Sequence, residues 1–172
     1  MNIFYLDPNP RRCAQMHCDK HVVKMILETA QMLSTAHRYL SPTEYCEKYS
    51  LFQPVFQHHP STKWCMETSA NYQWLSNLFD ELNLEYWFRW GRNHEPERWH
   101  SASRMIGALG HMPLRIPQGP FSDPPQCMPD EYKGPDAVQA YHRYYLGAKA
   151  YFAKWAHGPT PQWWMEAQDA TS

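Results

Sequence analysis

Arg12–Tyr39 reads RCAQMHCDKHVVKMILETAQMLSTAHRY and contains neither proline nor glycine. Val22, Val23, Ile26, Ala30 and Leu33 recur within it at spacings of three and four, the period of one face of an α-helix. The stretch therefore predicts one long amphipathic helix, ended by Ser41-Pro42 because proline cannot continue a helical ladder. On a wheel stepped at about 100° per residue, His17, His21, Lys24, Glu28, Gln31, Thr35 and Arg38 share the opposite face.

Upstream, Asn2–Leu6 (NIFYL) is a short apolar run, either one strand or a buried lead-in, followed by a turn at Asp7-Pro8-Asn9-Pro10. Downstream, Thr43–Tyr49 is a candidate short helix, and Leu51–Pro60 reads as loop. Ser61-Thr62 can cap a second long helix carrying Trp64, Ala70, Trp74, Leu75, Leu78, Leu82 and Tyr86, with Gly91 as its C-cap. Glu97–Leu109 suggests a third helix. Residues 110–135 hold seven prolines, yet Met112, Leu114, Ile116, Phe121 and Met128 offer apolar anchors, so this predicts an ordered loop. Asp136–Ala156 reads as the last helix, with Pro-Thr-Pro-Gln-Trp-Trp as a tail. The expected architecture is one all-α domain over 1–172, a bundle of three to four main helices with a short N-terminal strand-like segment and a long proline-rich loop.

Composition narrows the class. At 172 residues, 43% hydrophobic and 15% aromatic, the chain can bury one sizeable core. No apolar run reaches the roughly 20 residues of a membrane span, and the N-terminus lacks a charged-then-apolar signal pattern. Five cysteines without regular spacing fit free thiols in a reducing compartment. The expected location is thus cytoplasmic, with no membrane partner. The formal net charge of −1 argues against indiscriminate nucleic-acid binding but leaves a local basic face open.

The polar stripe on the first helix has two readings. Its groups are either the solvated face of an amphipathic helix or a row of acid/base groups along a cleft. Imidazole titrates near neutrality, a lysine among other cations can become nucleophilic, and a carboxylate orients either. The candidate catalytic set is His17, Asp19, Lys20, His21, Lys24 and Glu28. Cys13, His17 and His21 also stand at i, i+4 intervals, a weaker zinc pattern that lacks a fourth ligand, so no metal and no cofactor is assigned. For binding substrate or phosphate, His58, His59, Ser61 and Lys63 cluster where a helix begins, and backbone N–H groups there favour anions. Asn71 follows on the same helix, and Arg38 extends the stripe. In Ala140–Trp155 (AYHRYYLGAKAYFAKW), Arg143, Tyr145 and Lys149 belong to an alternation of cations and aromatics suited to a nucleic-acid backbone and stacked bases. A helix whose aromatics are core and whose cations snorkel has the same pattern. Pro129–Lys133 is either a lid or an acidic turn.

Four of these stretches resemble the small phage proteins related to pyrimidine-dimer DNA glycosylases of the endonuclease V type. Asn2–Leu6 is similar to that family's lead-in, and Asp19-Lys20-His21 falls where it places a basic residue followed by its catalytic glutamate. His59-Pro60 resembles its His-Pro between the long helices, and Arg143–Lys149 its Tyr-Tyr-Gly-Lys tail. The resemblance implies a compact all-α domain in which an N-terminal α-amine attacks C1′ and cleaves the strand through an imine; if phage-encoded, it acts in the host cytoplasm. Two departures stand out. Asn2 is a poor residue for exposing a new N-terminus, and His21 replaces the glutamate, so Glu28 or Asp19 would supply the carboxylate. The expectation is an enzyme acting on a DNA base, by glycosidic cleavage or modification of a displaced nucleotide, with DNA or a nucleotide as partner. An enzyme of free nucleotides or phosphorylated metabolites and a non-catalytic phage interaction protein are the alternatives. The oligomeric state is open.

Overall fold

The first of the eight α-helices starts where Asn9 stops the chain from extending. Its side chain accepts a hydrogen bond from the Arg12 N–H, and Pro10 occupies the first helical position, where no amide donor is needed. The structure, a computed structural model, describes residues 1–172. The helices are α1 (Pro10–Met16), α2 (Asp19–Leu40), α3 (Thr43–Lys48), α4 (Pro60–Glu67), α5 (Ser69–Tyr86), α6 (Ile106–Leu109), α7 (Ala137–Tyr144) and α8 (Gln162–Ala170). α5 continues as a π-turn, Trp87–Gly91, and α7 as another, Tyr145–Lys149. No helix is long and apolar enough to cross a membrane.

The class is all-α, as expected, but the anticipated three to four helices are broken further. The first long helix divides at His17-Cys18, where both residues are extended (ψ 133° and 159°). The second divides at Thr68 (φ −142°, ψ 154°), whose hydroxyl caps α5 by accepting from the Asn71 N–H at 3.1 Å. Of Glu97–Leu109, only Ser101–Leu109 is helical, beginning as a 3₁₀ turn capped by the His100 ring. The last predicted helix stops near Lys149, and the supposed tail forms α8. Trp163 there stacks on His142 at 4.1 Å and Trp164 packs against Trp155 at 4.9 Å between ring centroids. Gly91 ends its helix without a left-handed φ. A Cβ at that position would lie 1.8 Å from the Arg98 carbonyl oxygen, so close approach of backbone is what requires glycine there.

The N-terminal run is not a strand of any sheet, because the chain forms no strand to pair with it. It is an extended core segment, with Ile3, Phe4, Tyr5 and Leu6 all buried in one cluster of 36 apolar side chains. α2 packs along α5 and α4, and α5 along α1. The proline-rich loop closes one side by spending its backbone groups on the helices. The Arg115 N–H bonds Leu40 O, Pro117 O accepts from Ser69, and Ser122 N–H bonds Asn71 Oδ1. Of its expected anchors only Ile116 and Met128 are buried; Met112, Leu114 and Phe121 remain exposed.

One side chain holds the break in the first helix. Arg89, from the π-turn, has a fully buried guanidinium that donates to Gln15 O and His17 O, both at 2.9 Å, satisfying carbonyls at the end of α1. It pairs with Asp19 Oδ1 at 3.0 Å and Glu85 Oε2 at 2.9 Å. The other oxygen of Asp19 accepts the N–H groups of Ala156 and His157. Arg89→Met strands two carboxylates and two carbonyls. We expect it to cost about 3–5 kcal/mol in urea unfolding, whereas a loss under about 1 kcal/mol, the range of a surface pair, would contradict this role.

Candidate active site

After the break at His17-Cys18, α2 buries Val22, Ile26, Ala30 and Leu33 as their period suggests, but its buried arc extends further round the helix to take in His21 and Thr35. Lys20, Val23, Lys24 and Leu27 form the exposed strip, with Glu28 and Gln31 at its margin. Val23, expected inside, is about two-fifths exposed, as is Leu27, while His21 and Thr35, expected outside, are buried. The stripe is therefore corrected: its histidines and Thr35 point inward, Lys24 is exposed, and Glu28, Gln31 and Arg38 are half-buried.

At the strip's margin the first two residues of the chain meet Glu28. The Met1 α-amine lies 3.8 Å from Glu28 Oε2, which also accepts the Asn2 N–H at 3.2 Å. Lys24 Nζ stands 3.4 Å from Oε1, one helical turn away. The Met1 side chain is only 1% exposed, so burial of an apolar chain fixes the amine beside the carboxylate. Asn2 is clamped in turn. Its amide donates to Cys127 O at 2.9 Å, and its Oδ1 accepts from Ile3 N–H and faces the Tyr141 hydroxyl at 2.9 Å.

His59 completes the group. Its Nδ1 accepts the Ser61 N–H at 3.1 Å, capping α4. Burial lowers its pKa, the Met1 amine lowers it further, and Glu28 opposes both, so the ring is within electrostatic reach of the pair. The buried Ser61 hydroxyl contacts Cys127 Sγ at 3.4 Å. Beside it, His58, Pro60, Lys63 and Glu67 line a shallow hollow of about 370 Å³. A positioned amine, a carboxylate, an imidazole and flanking cations can together perform nucleophilic and general acid–base chemistry at a carbon electrophile.

The other predicted residues lie elsewhere or serve the fold. Asp19 is committed to Arg89, and Lys20 lies over the Phe152 ring at 4.7 Å. Arg38 holds the 47–52 segment through Leu51 O, Phe52 O and Glu47. Asn71 is buried, bridging Trp64 O and Ser122. Arg143 is tied to Tyr132 O at 3.0 Å. Tyr145 is wholly buried and bonds His21 rather than facing a substrate. Lys149 lies over Tyr144 at 4.6 Å. Cys13 spends its thiol on Phe4 O and His17 its Nδ1 on Cys13 O, and no three potential metal-ligating side chains converge anywhere. Asn2, Tyr141 and Cys127 have no motif of their own. Asn2 alone gave a signal, a polar residue opening an otherwise apolar run.

Burial pushes His17 and His37 down to about 4 and His21 to about 2, while it raises Asp80 to about 6. A histidine with a depressed folded value takes up its proton only on unfolding, so it costs stability as pH falls below its ordinary 6.5. Asp80, with a raised folded value, has the opposite sign between about 6 and 3.8. Three histidines against one aspartate leave a net uptake on unfolding approaching two protons among these groups. We expect stability to fall by up to roughly 2–3 kcal/mol per pH unit between pH 6 and 4.5, and imidazole spectra of His17 and His21 to stay flat from pH 8 to 5.

No family model matches the chain, no curated protein matches it in sequence, and no solved structure matches it in fold.

Proposed function

We propose that the protein is an enzyme acting on a DNA base through an amine held beside Glu28, cleaving the glycosidic bond in the manner of a glycosylase with lyase activity. The observation that carries this reading is the Met1 α-amine 3.8 Å from Glu28 Oε2, with the Asn2 N–H locking the carboxylate and a buried side chain locking the amine. A nucleophile fixed in this way avoids much of the entropy of bringing reactants together. Lys24 is the second amine beside the same carboxylate, but its side chain is 59% exposed and has no comparable anchor. It serves as the flanking cation. The resemblance in sequence also points to an α-amine nucleophile, and the neighbouring carboxylate would be Glu28 in place of the helix position held by His21.

The chemistry follows from these groups. The amine lone pair forms a bond to C1′ as the bond from C1′ to the base breaks; the base leaves with that electron pair and takes a proton from water. Glu28 accepts the proton shed by the amine nitrogen and passes it to O4′ as the sugar ring opens, which leaves an iminium at C1′. Again a carboxylate, Glu28 removes a proton from C2′, and the 3′-phosphate departs with the C–O bonding electrons. His59, whose ring feels the charges of both members of the pair, is suited to hold the substrate phosphate or relay protons to water. A substrate limited to one or a few nucleotides suits the near-neutral net charge of −1 better than a long duplex does.

Borohydride should trap the protein covalently on abasic-site DNA, with the adduct mapping by mass to the peptide that carries Met1. Glu28→Gln should lower trapping and cleavage about 10²–10³-fold, the range typical of losing a positioned acid/base group. Cleavage with no adduct would remove the imine route. Neither cleavage nor adduct on DNA, with stabilisation by free nucleotides alone, would instead favour an enzyme of nucleotides.

A further inference from the structure

Beneath the lysines of the α2 strip sits an imidazole with one nitrogen unclaimed. His21 is 3% exposed. Its ring stacks on Phe4 at 4.2 Å and is flanked edge-on by Tyr145 and Phe152, each at 5.2 Å between centroids. Nδ1 lies 2.5 Å from the Tyr145 hydroxyl. Burial holds the Tyr145 pKa far above the ordinary range, so the hydroxyl keeps its proton. That one proton has two acceptors in reach, His21 Nδ1 at 2.5 Å and Cys18 Sγ at 3.9 Å. An imidazole nitrogen is the nearer and much the better acceptor. Tyr145 therefore donates to Nδ1, and a neutral His21 carries its own proton on Nε2.

This Nε2–H bonds no protein group, yet it is not sealed in. The enclosed side-chain nitrogens and oxygens without partners are His17 Nε2, Thr62 Oγ1, Asp80 Oδ1, Asn83 Oδ1 and Trp163 Nε1. A donor on an almost buried, rigidly boxed ring thus keeps some solvent contact, with Lys24 one turn along the same helix. Among the charges that act on it, His17 comes first, followed by Lys149, Lys24 and Lys20. Two of these cations are braced by aromatic rings, Lys20 over Phe152 and Lys149 over Tyr144. The π-turn widens the end of α7 and places Tyr145 under His21 while Lys149, one turn on, remains at the surface.

We infer that His21 Nε2–H, Lys24 and Lys149 form a phosphate-binding subsite, linked to the Met1–Glu28 pair through Lys24, whose Nζ stands 3.4 Å from Glu28 Oε1. The assignment of that phosphate to a nucleotide rests on the function proposed above. The ring supplies a directed donor and the lysines supply the charge. The groups facing the ring are Lys20 and Lys24 from α2, Lys149 and Tyr145 from the π-turn, and His17 and Cys18 below. Because burial first, then His17 and these lysines, hold His21 down to about 2, it stays neutral from pH 8 to 5. Phosphate affinity should then lack the tightening that an ordinary histidine gives as it becomes cationic through pH 6.5.

Imidazole nitrogen NMR on the ¹⁵N-labelled full chain tests this, with inorganic phosphate and the thymidine dinucleotide TpT as separate probes. We expect the Nε2–H tautomer at His21 and a shift of that nitrogen on saturation with TpT. His21→Phe preserves the aromatic box and removes the donor; it should weaken TpT about tenfold, and Lys149→Met should flatten the salt dependence. Glu28→Gln, which frees Lys24 from its ion pair, should still show the TpT-induced shift of His21 Nε2 while borohydride trapping falls. A proton on Nδ1, or His21 signals unmoved at saturating TpT, overturns the subsite even if His21→Phe does not fold. Binding of inorganic phosphate with exclusion of TpT overturns the nucleotide assignment. Loss of the subsite with the borohydride adduct retained removes this inference alone, and the reverse removes only the amine chemistry.

Discussion

The buried guanidinium of Arg89 is the constraint on which the remaining arrangement depends. An arginine with no solvent must place its donors on protein acceptors, and it finds four within 3.0 Å: Gln15 O, His17 O, Asp19 and Glu85. Two of these are carbonyls that the end of α1 would otherwise leave orphaned. The chain can therefore break at His17-Cys18 without unsatisfied backbone, and α2 restarts in a new direction. The same clamp draws in residues 154–158: Asp19 N–H bonds Lys154 O, its carboxylate takes Ala156 and His157 N–H, and the Gly158 backbone lies where a Cβ would be 2.8 Å from Arg89 Nε. Asp19 thus has a structural task, which leaves Glu28 as the carboxylate on α2 available to chemistry.

The orientation of α2 sorts its polar residues by depth. His21 turns inward against Phe4 and Tyr145, and His37 bonds Ser41, Tyr72 and His111 O. In this interior, neutral imidazole is a compact aromatic with one donor and one acceptor, so buried histidines can pin loops and helices together without the cost of burying charge. Lys20, Lys24 and Glu28 stay at the rim. The N-terminal segment runs across this rim, its apolar residues in the core and its first two residues beside Glu28. The candidate site is assembled from positions far apart in the chain: Met1 and Asn2, Glu28, His59, Cys127 and Tyr141.

Much of this could be read from the amino acids, because local rules govern local features. Helical period and the placement of proline revealed the all-α class and the long element around residues 19–40. The mixed cation–carboxylate content of that element marked Lys24 and Glu28, and His59 before Pro60 marked a helix start. The errors share a cause. The breaks at His17-Cys18 and Thr68 carry no proline or glycine; both depend on partners more than 50 residues away, Arg89 for the first and the proline-rich loop at Pro120 for the second. α8 was missed because its cohesion comes from tryptophan packing against His142 and Trp155 rather than from its own pattern.

The sequence by itself determined that the chain is helical, that it has apolar and aromatic residues enough for one core, and which side chains were able to do chemistry. It determined the inventory because composition and a period of 3.6 are properties of the local chain. Only the tertiary structure decided that His17 and His21 face inward, that Asp19 belongs to Arg89, and that the amine of residue 1 meets the carboxylate of residue 28. Those outcomes depend on where α1 ends and how α2 restarts against the core. The break between the two helices is held by the buried Arg89, whose hydrogen bonds end on Gln15, His17 and Asp19, and no periodicity within α2 records it.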